Sequence, residues 1–232
     1  MCTKTAYLAL AVIALLVGSA WADLAPGTVL FRPGWQPITG DNVGEYTQGP
    51  TPGGELLATL VSDAVGVTPA TTLQAKVTTN VYRRDDGGLT FEYSFSDFAD
   101  GPSLVRATLG GQWAGVGIAD AGADASGMSQ VPPDSWITGD PYYLERGSVA
   151  QGAAPWIQWA AFGIGSPLEG DEASSRVWFA TDATDYRTST AHMIDTTVGS
   201  DVAIFSPVPV PGALALGAIG LGLIGWVQRR RM

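Results

Sequence analysis

The sequence predicts an all-β protein: an antiparallel, jelly-roll-like β-sandwich carried between two apolar end segments. Three observations lead there. Glycine (30) and proline (15) are frequent among the 232 residues, which favours turns over long helices. Between positions 55 and 205 several stretches alternate apolar and polar residues with a period of two, and none holds a convincing 3.6-residue pattern. Clusters of Gly, Pro, Asp and Ser separate the alternating runs.

Residues 1–22 read as a secretory signal peptide. Lys4 supplies the positive start, positions 6–17 form an apolar run of 12 residues, and Ala20-Trp21-Ala22 is a small-x-small site. Signal peptidase would cut after Ala22 and leave Asp23 as the new first residue. As a helix the run spans about 18 Å, short of a hydrocarbon core of about 30 Å. The next segment, 23–54, is rich in Gly and Pro and is expected to be irregular, with one edge strand.

The sandwich itself is expected over 55–206. Leu73, Ala75, Val77, Thr79 and Val81 alternate with more polar neighbours, Asp85-Asp86-Gly87-Gly88 makes a turn, and Leu89, Phe91, Tyr93 and Phe95 alternate again. That pattern is a β-hairpin. Further strands are expected at 104–109, 156–162, 176–181, 190–195 and 201–205, and a short helix near 140–147. Phe91, Tyr93, Phe95, Trp156, Trp159, Trp178 and Phe179 are expected to supply most of the core.

The last segment, 207–232, opens with Val208-Pro209-Val210-Pro211-Gly212. An uncharged stretch of 16 residues at 212–227 follows, then Arg229, Arg230 and Arg231. A helix over 212–227 would be about 24 Å long, a short transmembrane span assisted by arginine snorkelling and local bilayer thinning. Positive flanks stay on the cytoplasmic side, so Lys4 and the arginine triplet place everything between them across the bilayer. The stretch 23–207 then carries 8 basic residues against all 22 acidic ones, a net charge of −14. That excess of acid excludes a nucleic-acid binder, which needs a basic face.

This tail resembles the PEP-CTERM protein-sorting domain, also known as the ice-binding protein C-terminal domain. Pro209-Val210-Pro211, the Gly/Ala/Leu-rich stretch and the terminal arginines match the family's three parts in order. The usual middle residue is Glu, and Val210 stands there; the sequence is nearer the Val-Pro-x-Pro-Ala/Gly variants. The resemblance implies recognition by an exosortase-type membrane peptidase near the Pro-x-Pro motif, in a Gram-negative-type bacterium. A second likeness covers 91–98, 106–111 and 176–195. These stretches resemble β-rich ectodomains of PEP-CTERM proteins, with Thr181-Asp182-Ala183-Thr184-Asp185-Tyr186 in the place of a Thr-Asn/Asp-Ala-x-x-Tyr segment before the last strands. That likeness implies a fold and a setting, and no chemistry.

Chemical motifs are sparse. One Cys and one His exclude a disulfide framework and a Cys/His zinc site. His192 lies in an expected strand, no G-x-S-x-G elbow accompanies it, and a half-exposed strand histidine accounts for it. Glu92, Asp97 and Asp100 are candidates for the paired carboxylates of glycoside hydrolysis, against a plainer reading as solvated acids. The runs 120–124 and 182–185 read as Asp-containing loops of the kind calcium uses, although neither fits the EF-hand pattern and turn formation explains them equally. Trp136, Tyr142, Tyr143 and Trp156 are candidates for an aromatic platform under a sugar ring, with core packing as the favoured rival. No phosphate-cradling glycine loop occurs in a strand–helix setting, and no cofactor or metal is expected.

The expectation is therefore a non-enzymatic protein, exported to the cell envelope or extracellular matrix and sorted or anchored by its tail. Its expected partners are signal peptidase, an exosortase-type peptidase, membrane lipid and exopolysaccharide. The alternatives are an exported carbohydrate-active hydrolase using Asp/Glu and a permanent single-pass membrane protein.

Overall fold

The computed structural model describes residues 24–34, 41–69, 72–96, 104–110, 113–126, 139–159, 168, 172–194 and 198–209. They form two β-sheets around one apolar core. The chain order is β1 (Val29–Phe31), β2 (Val43–Glu45), β3 (Thr47–Gln48), β4 (Glu55–Val67), β5 (Thr72–Arg83), β6 (Leu89–Ser96), β7 (Arg106–Leu109), β8 (Ile118–Asp124), β9 (Tyr143–Arg146), β10 (Pro155–Gln158), β11 (Arg176–Thr181), β12 (Tyr186–Ile194) and β13 (Gly199–Pro207). One sheet runs β13-β12-β7-β10-β9-β1-β2 and the other β3-β8-β11-β6-β5-β4. The pairings β9·β10, β8·β11 and β7·β12 nest one outside the other, so the ribbon β7–β8–β9 is matched antiparallel by β10–β11–β12 and shared between the sheets.

The expected hairpin is β5 and β6. Leu73, Ala75, Val77, Thr79 and Val81 point inward and are buried, as are Leu89, Phe91, Tyr93 and Phe95 across from them. The turn closes through Gly87 N–H to Arg84 O (3.0 Å) and Arg84 N–H to Gly88 O (2.9 Å). Gly87 sits at φ +86°, the left-handed position such a three-residue loop requires, and the Asp86 carboxylate accepts Gly88 N–H at 3.0 Å.

Several expectations are corrected. The sheets are mixed, because β1·β2 and β3·β8 are parallel pairs. The segment 23–54, expected to hold one edge strand, supplies three short strands to both sheets, and β1 is an interior one. The stretch near 140–147 is strand β9, with a 3-10 turn at Val149–Gln151 after it. Leu144 is buried and paired on both sides, with Leu30 of β1 and Ile157 of β10, and that two-sided pairing outweighs local helix preference. The run 120–124 is strand β8, not a loop. Trp156 leaves the core: its neighbours Pro155 and Ile157 face inward, so the pleat turns the indole out. Among the described residues no helix is long and apolar enough to cross a membrane; the stretch 212–227 lies outside them.

Edge-to-face aromatic contacts bind the core. Trp113, from the β7–β8 connection, lies 5.9 Å from both Phe91 and Phe179, and Phe95 lies 5.0 Å from Trp159. Leu109, Leu144, Ile157, Met193, Val202 and Ile204 face them from the other sheet. Burying side chains of this kind stabilises by about 1.5–3 kcal/mol each. Arg146 is buried in the same region. Its guanidinium donates to Leu24 O (2.6 Å), Val116 O (2.6 Å), Trp113 O (3.2 Å) and Ala153 O (3.4 Å). Arg146→Met should lower stability by several kcal/mol, since each buried acceptor left without a donor costs about 1–3 kcal/mol. Urea unfolding of the two proteins side by side measures it.

Candidate functional site

The sequence-level site residues fall mostly outside the described part. Ala20, Ala22, Asp23, Val210, Pro211, Gly212, Arg229, Arg230 and Arg231 lie there. Val208 and Pro209 are described, and they show how the tail leaves the body. β13 ends at Pro207, and Val208 N–H donates to Asp185 O at 3.0 Å. Asp185 belongs to the 181–186 segment that joins β11 to β12. Within it, Ala183 is fully buried, and the Asp182 carboxylate accepts Gly117 N–H at 2.7 Å.

The outer face of the seven-stranded sheet gathers the residues with recognition chemistry. The register lines up Val29, Glu145, Trp156, Thr108, His192 and Asp201 in one row. Phe31, Tyr143, Gln158, Arg106 and Ile194 make the next. The Arg106 guanidinium lies 5.1 Å from the centre of the Trp156 ring, a cation–π contact. Burial pushes the Glu145 carboxyl up from its ordinary value while Arg106 opposes the shift. Burial and the neighbouring Glu145 raise the Tyr143 phenol, again against Arg106. An indole, a phenol, a carboxyl, a guanidinium and an amide thus stand side by side, all half-buried. Of the four aromatics expected to form a platform, the fold brings Tyr143 and Trp156 to this face. Tyr142 packs edge-on against Phe31 (6.0 Å) and Tyr143 (5.7 Å) at the end of the second row but is itself buried, and Trp136 lies outside the described residues. His192 is a half-exposed strand histidine, as expected, with Nδ1 2.8 Å from Asp201 Oδ1.

The outer face of the six-stranded sheet is largely sealed. Residues 49–54 cross it as a strap, leading from β3 at one edge to β4 at the other. Trp178 Nε1 donates to Gly49 O (3.2 Å), and Thr51 donates to the Glu92 carboxylate. Glu92 is 2 % exposed and also accepts from Asn80 Nδ2 (2.8 Å) and the Tyr82 hydroxyl (3.4 Å). It is a clamp for the strap; Asp97 and Asp100, its proposed companions, lie outside the described residues. Beside the strap is an open cleft of about 610 Å³, lined by Pro52, Arg84, Asp85, Asp86 and Asp120 among others. Asp86 is held by Arg84 (2.6 Å) and Asp120 by Thr47 (3.1 Å), so two of the cleft's three carboxylates already serve the fold.

No family model, no curated protein and no solved structure matches the chain.

Three features escaped the sequence reading. Arg146 looks like any strand charge until its carbonyl partners are known. Trp113 stands in a glycine-flanked stretch without alternation, yet it is central to the core. Asp124, read as part of a loop, sits on β8 and binds Arg176 at 2.7 Å. Among the described residues no group of three or more His, Cys, Asp or Glu is placed to hold a metal ion.

Burial alone would raise Asp124, but hydrogen bonds from Ser126 and the Arg176 guanidinium outweigh it and hold the carboxyl below its ordinary 3.8. A carboxyl depressed in the folded state adds stability above its unfolded pKa and loses it as pH falls through the folded value. Asp124→Asn should therefore be less stable than the parent at neutral pH, with the difference closing as pH drops below 3.8. Urea midpoints taken across that range measure it.

Proposed function

We propose that this is a non-catalytic, exported protein of the bacterial cell envelope or extracellular matrix. Its 207–232 segment is a PEP-CTERM-like sorting signal, and its two-sheet body contacts polysaccharide. One observation carries the sorting half of the reading. Lys4 and the three terminal arginines flank the two apolar segments, and all 22 acidic residues lie between them. Signal peptidase acts at one end, and an exosortase-type peptidase acts near Pro209-Val210-Pro211 at the other. The nested pairing of β7–β8–β9 with β10–β11–β12 supports a jelly-roll-like body within this reading.

The polysaccharide half rests on the Trp156 face. A pyranose ring offers apolar C–H faces for stacking and a rim of hydroxyls for hydrogen bonds. Trp156 and Tyr143 supply the first, and Glu145, Gln158 and Arg106 the second. A net charge of −14 on the exported part disfavours an anionic polymer and leaves a neutral glycan as the better partner. The hydrolase alternative is weaker, because two of the three carboxylates in the open cleft, Asp86 and Asp120, are already tied to Arg84 and Thr47.

Two experiments test these halves separately. The double variant Pro209→Ala/Pro211→Ala should still be exported but should keep its tail, as intact-mass measurement of the envelope fraction will show. If the parent protein also keeps Arg229, Arg230 and Arg231, it is a permanent single-pass protein and the sorting reading fails. Trp156→Ala should weaken retardation in affinity electrophoresis through a neutral polysaccharide by about 0.5–1.5 kcal/mol, the scale of an aromatic stacking contact, while still melting in one cooperative transition. Equal mobility of parent and variant would remove the glycan contact and leave the sorting reading standing.

A further inference from the structure

We propose that the peptide bond between Asp140 and Pro141 is a self-processing site, at which the Asp140 carboxyl cuts its own main chain through a cyclic anhydride. This is the one Asp-Pro pair in the 232 residues. It lies just before β9, and the peptides on either side of it are pinned. Gly139 O accepts from Ser175 N–H (2.9 Å), Ser175 Oγ (3.2 Å) and Trp159 Nε1 (3.2 Å). Pro141 O accepts from the Tyr46 hydroxyl (2.9 Å), and Tyr142 N–H donates to Gln158 O (2.6 Å). The Asp140 side chain between them is 3 % exposed, and its Oδ1 has no hydrogen-bond partner among the described residues. Arg32 faces the other oxygen, but Nη2 stands 3.8 Å from Oδ2, beyond hydrogen-bond reach. A carboxylate this dry calls for donors on both oxygens. A neutral carboxylic acid does not, and its unpartnered oxygen is free to act on the backbone beside it.

The groups around this carboxyl are Arg32 after β1, the Tyr46 hydroxyl between β2 and β3, and Ser175 before β11. Burial pushes the acid up from its ordinary value, and Arg32 and Ser175 oppose the shift without reversing it. The neutral form therefore persists at a pH where an exposed aspartate is ionised. In the cleaving step a side-chain oxygen of Asp140 attacks the carbonyl carbon of the same residue. The new O–C bond closes a five-membered ring, the C–N bond to Pro141 breaks, and the carboxyl proton passes to the Pro141 nitrogen, which leaves as a secondary amine. Attack within one residue has the proximity advantage of an intramolecular reaction. Water then opens the anhydride, leaving Asp140 as a C-terminus and Pro141 as a new N-terminus. The event occurs once per chain and is not turnover. The two pieces stay assembled, because β9 remains paired with β1, β10 and β12 with β7, and β11 with β6 and β8.

Intact-mass measurement under denaturing conditions reads the cut. The protein, isolated from its envelope fraction in mild detergent, is incubated at about pH 5, where an aspartate with the ordinary pKa of about 3.9 is mostly ionised. It should give two fragments that meet between Asp140 and Pro141, several-fold faster than the same protein unfolded in urea and several-fold faster than at about pH 8. Hydroxylamine in the buffer should convert the new C-terminus at Asp140 into a hydroxamate, the trapped form of the anhydride. Asp140→Asn keeps a neutral group of the same shape and should abolish the cut. Pro141→Ala keeps the acid and should slow it several-fold. An intact folded chain, equal rates folded and unfolded, a plain acid at Asp140 in hydroxylamine, or cleavage of either variant at the parent's rate would overturn the proposal.

Discussion

The buried guanidinium of Arg146 is the constraint on which the arrangement depends. A charge inside a protein is tolerable only when its donors are met, and here backbone carbonyls meet them. Those carbonyls come from three separate places: the start of the described chain at Leu24, the β7–β8 connection at Trp113 and Val116, and the β9–β10 connection at Ala153. One side chain therefore fixes where three irregular segments meet. Trp113 is then held so that its indole reaches both Phe91 and Phe179 in the opposite sheet. Without that anchoring the two layers would share fewer aromatic contacts, and β1 would lose a neighbour that holds its beginning in place.

The two outer faces solve different problems. On the six-stranded sheet, Trp178 and Glu92 face outward, where a bare indole and a bare carboxylate would sit beside each other on a flat surface. The strap at 49–54 covers both and supplies one acceptor and one donor for them. On the seven-stranded sheet no described segment does the same. Trp156, Arg106, Glu145 and Tyr143 cover one another instead, and their shared partial burial shifts the acid and the phenol together.

Regular alternation was legible and irregular context was not. β5 and β6 are long enough for the period of two to reveal which residues face inward, and every expected inward residue of that hairpin is buried. β11 was legible to its ends at 176 and 181. β1, β2 and β3 are two or three residues long, too short for any period, and exist because longer strands offer them a ladder. β8 reads Ile-Ala-Asp-Ala-Gly-Ala-Asp, a composition that favours turns when taken alone. Between β3 and β11 it becomes a strand, and Gly122 is where Thr47 and Trp178 come too close for a side chain. For the candidate face, the residue types were visible in the sequence, but their meeting depends on β7, β9 and β10 becoming neighbours.

The bond between Val208 and Asp185 gives the body a defined point of mechanical attachment. Whatever grips the tail pulls first on the join between β13 and the 181–186 segment. Behind it lie nine cross-strand pairs of β12 with β13. Tension along the strand axis shears all of them at once and meets high resistance. Tension across the axis peels them singly, beginning at the Tyr186–Pro207 pair. The direction in which the tail leaves the surface thus decides whether the domain holds under load or opens like a zip.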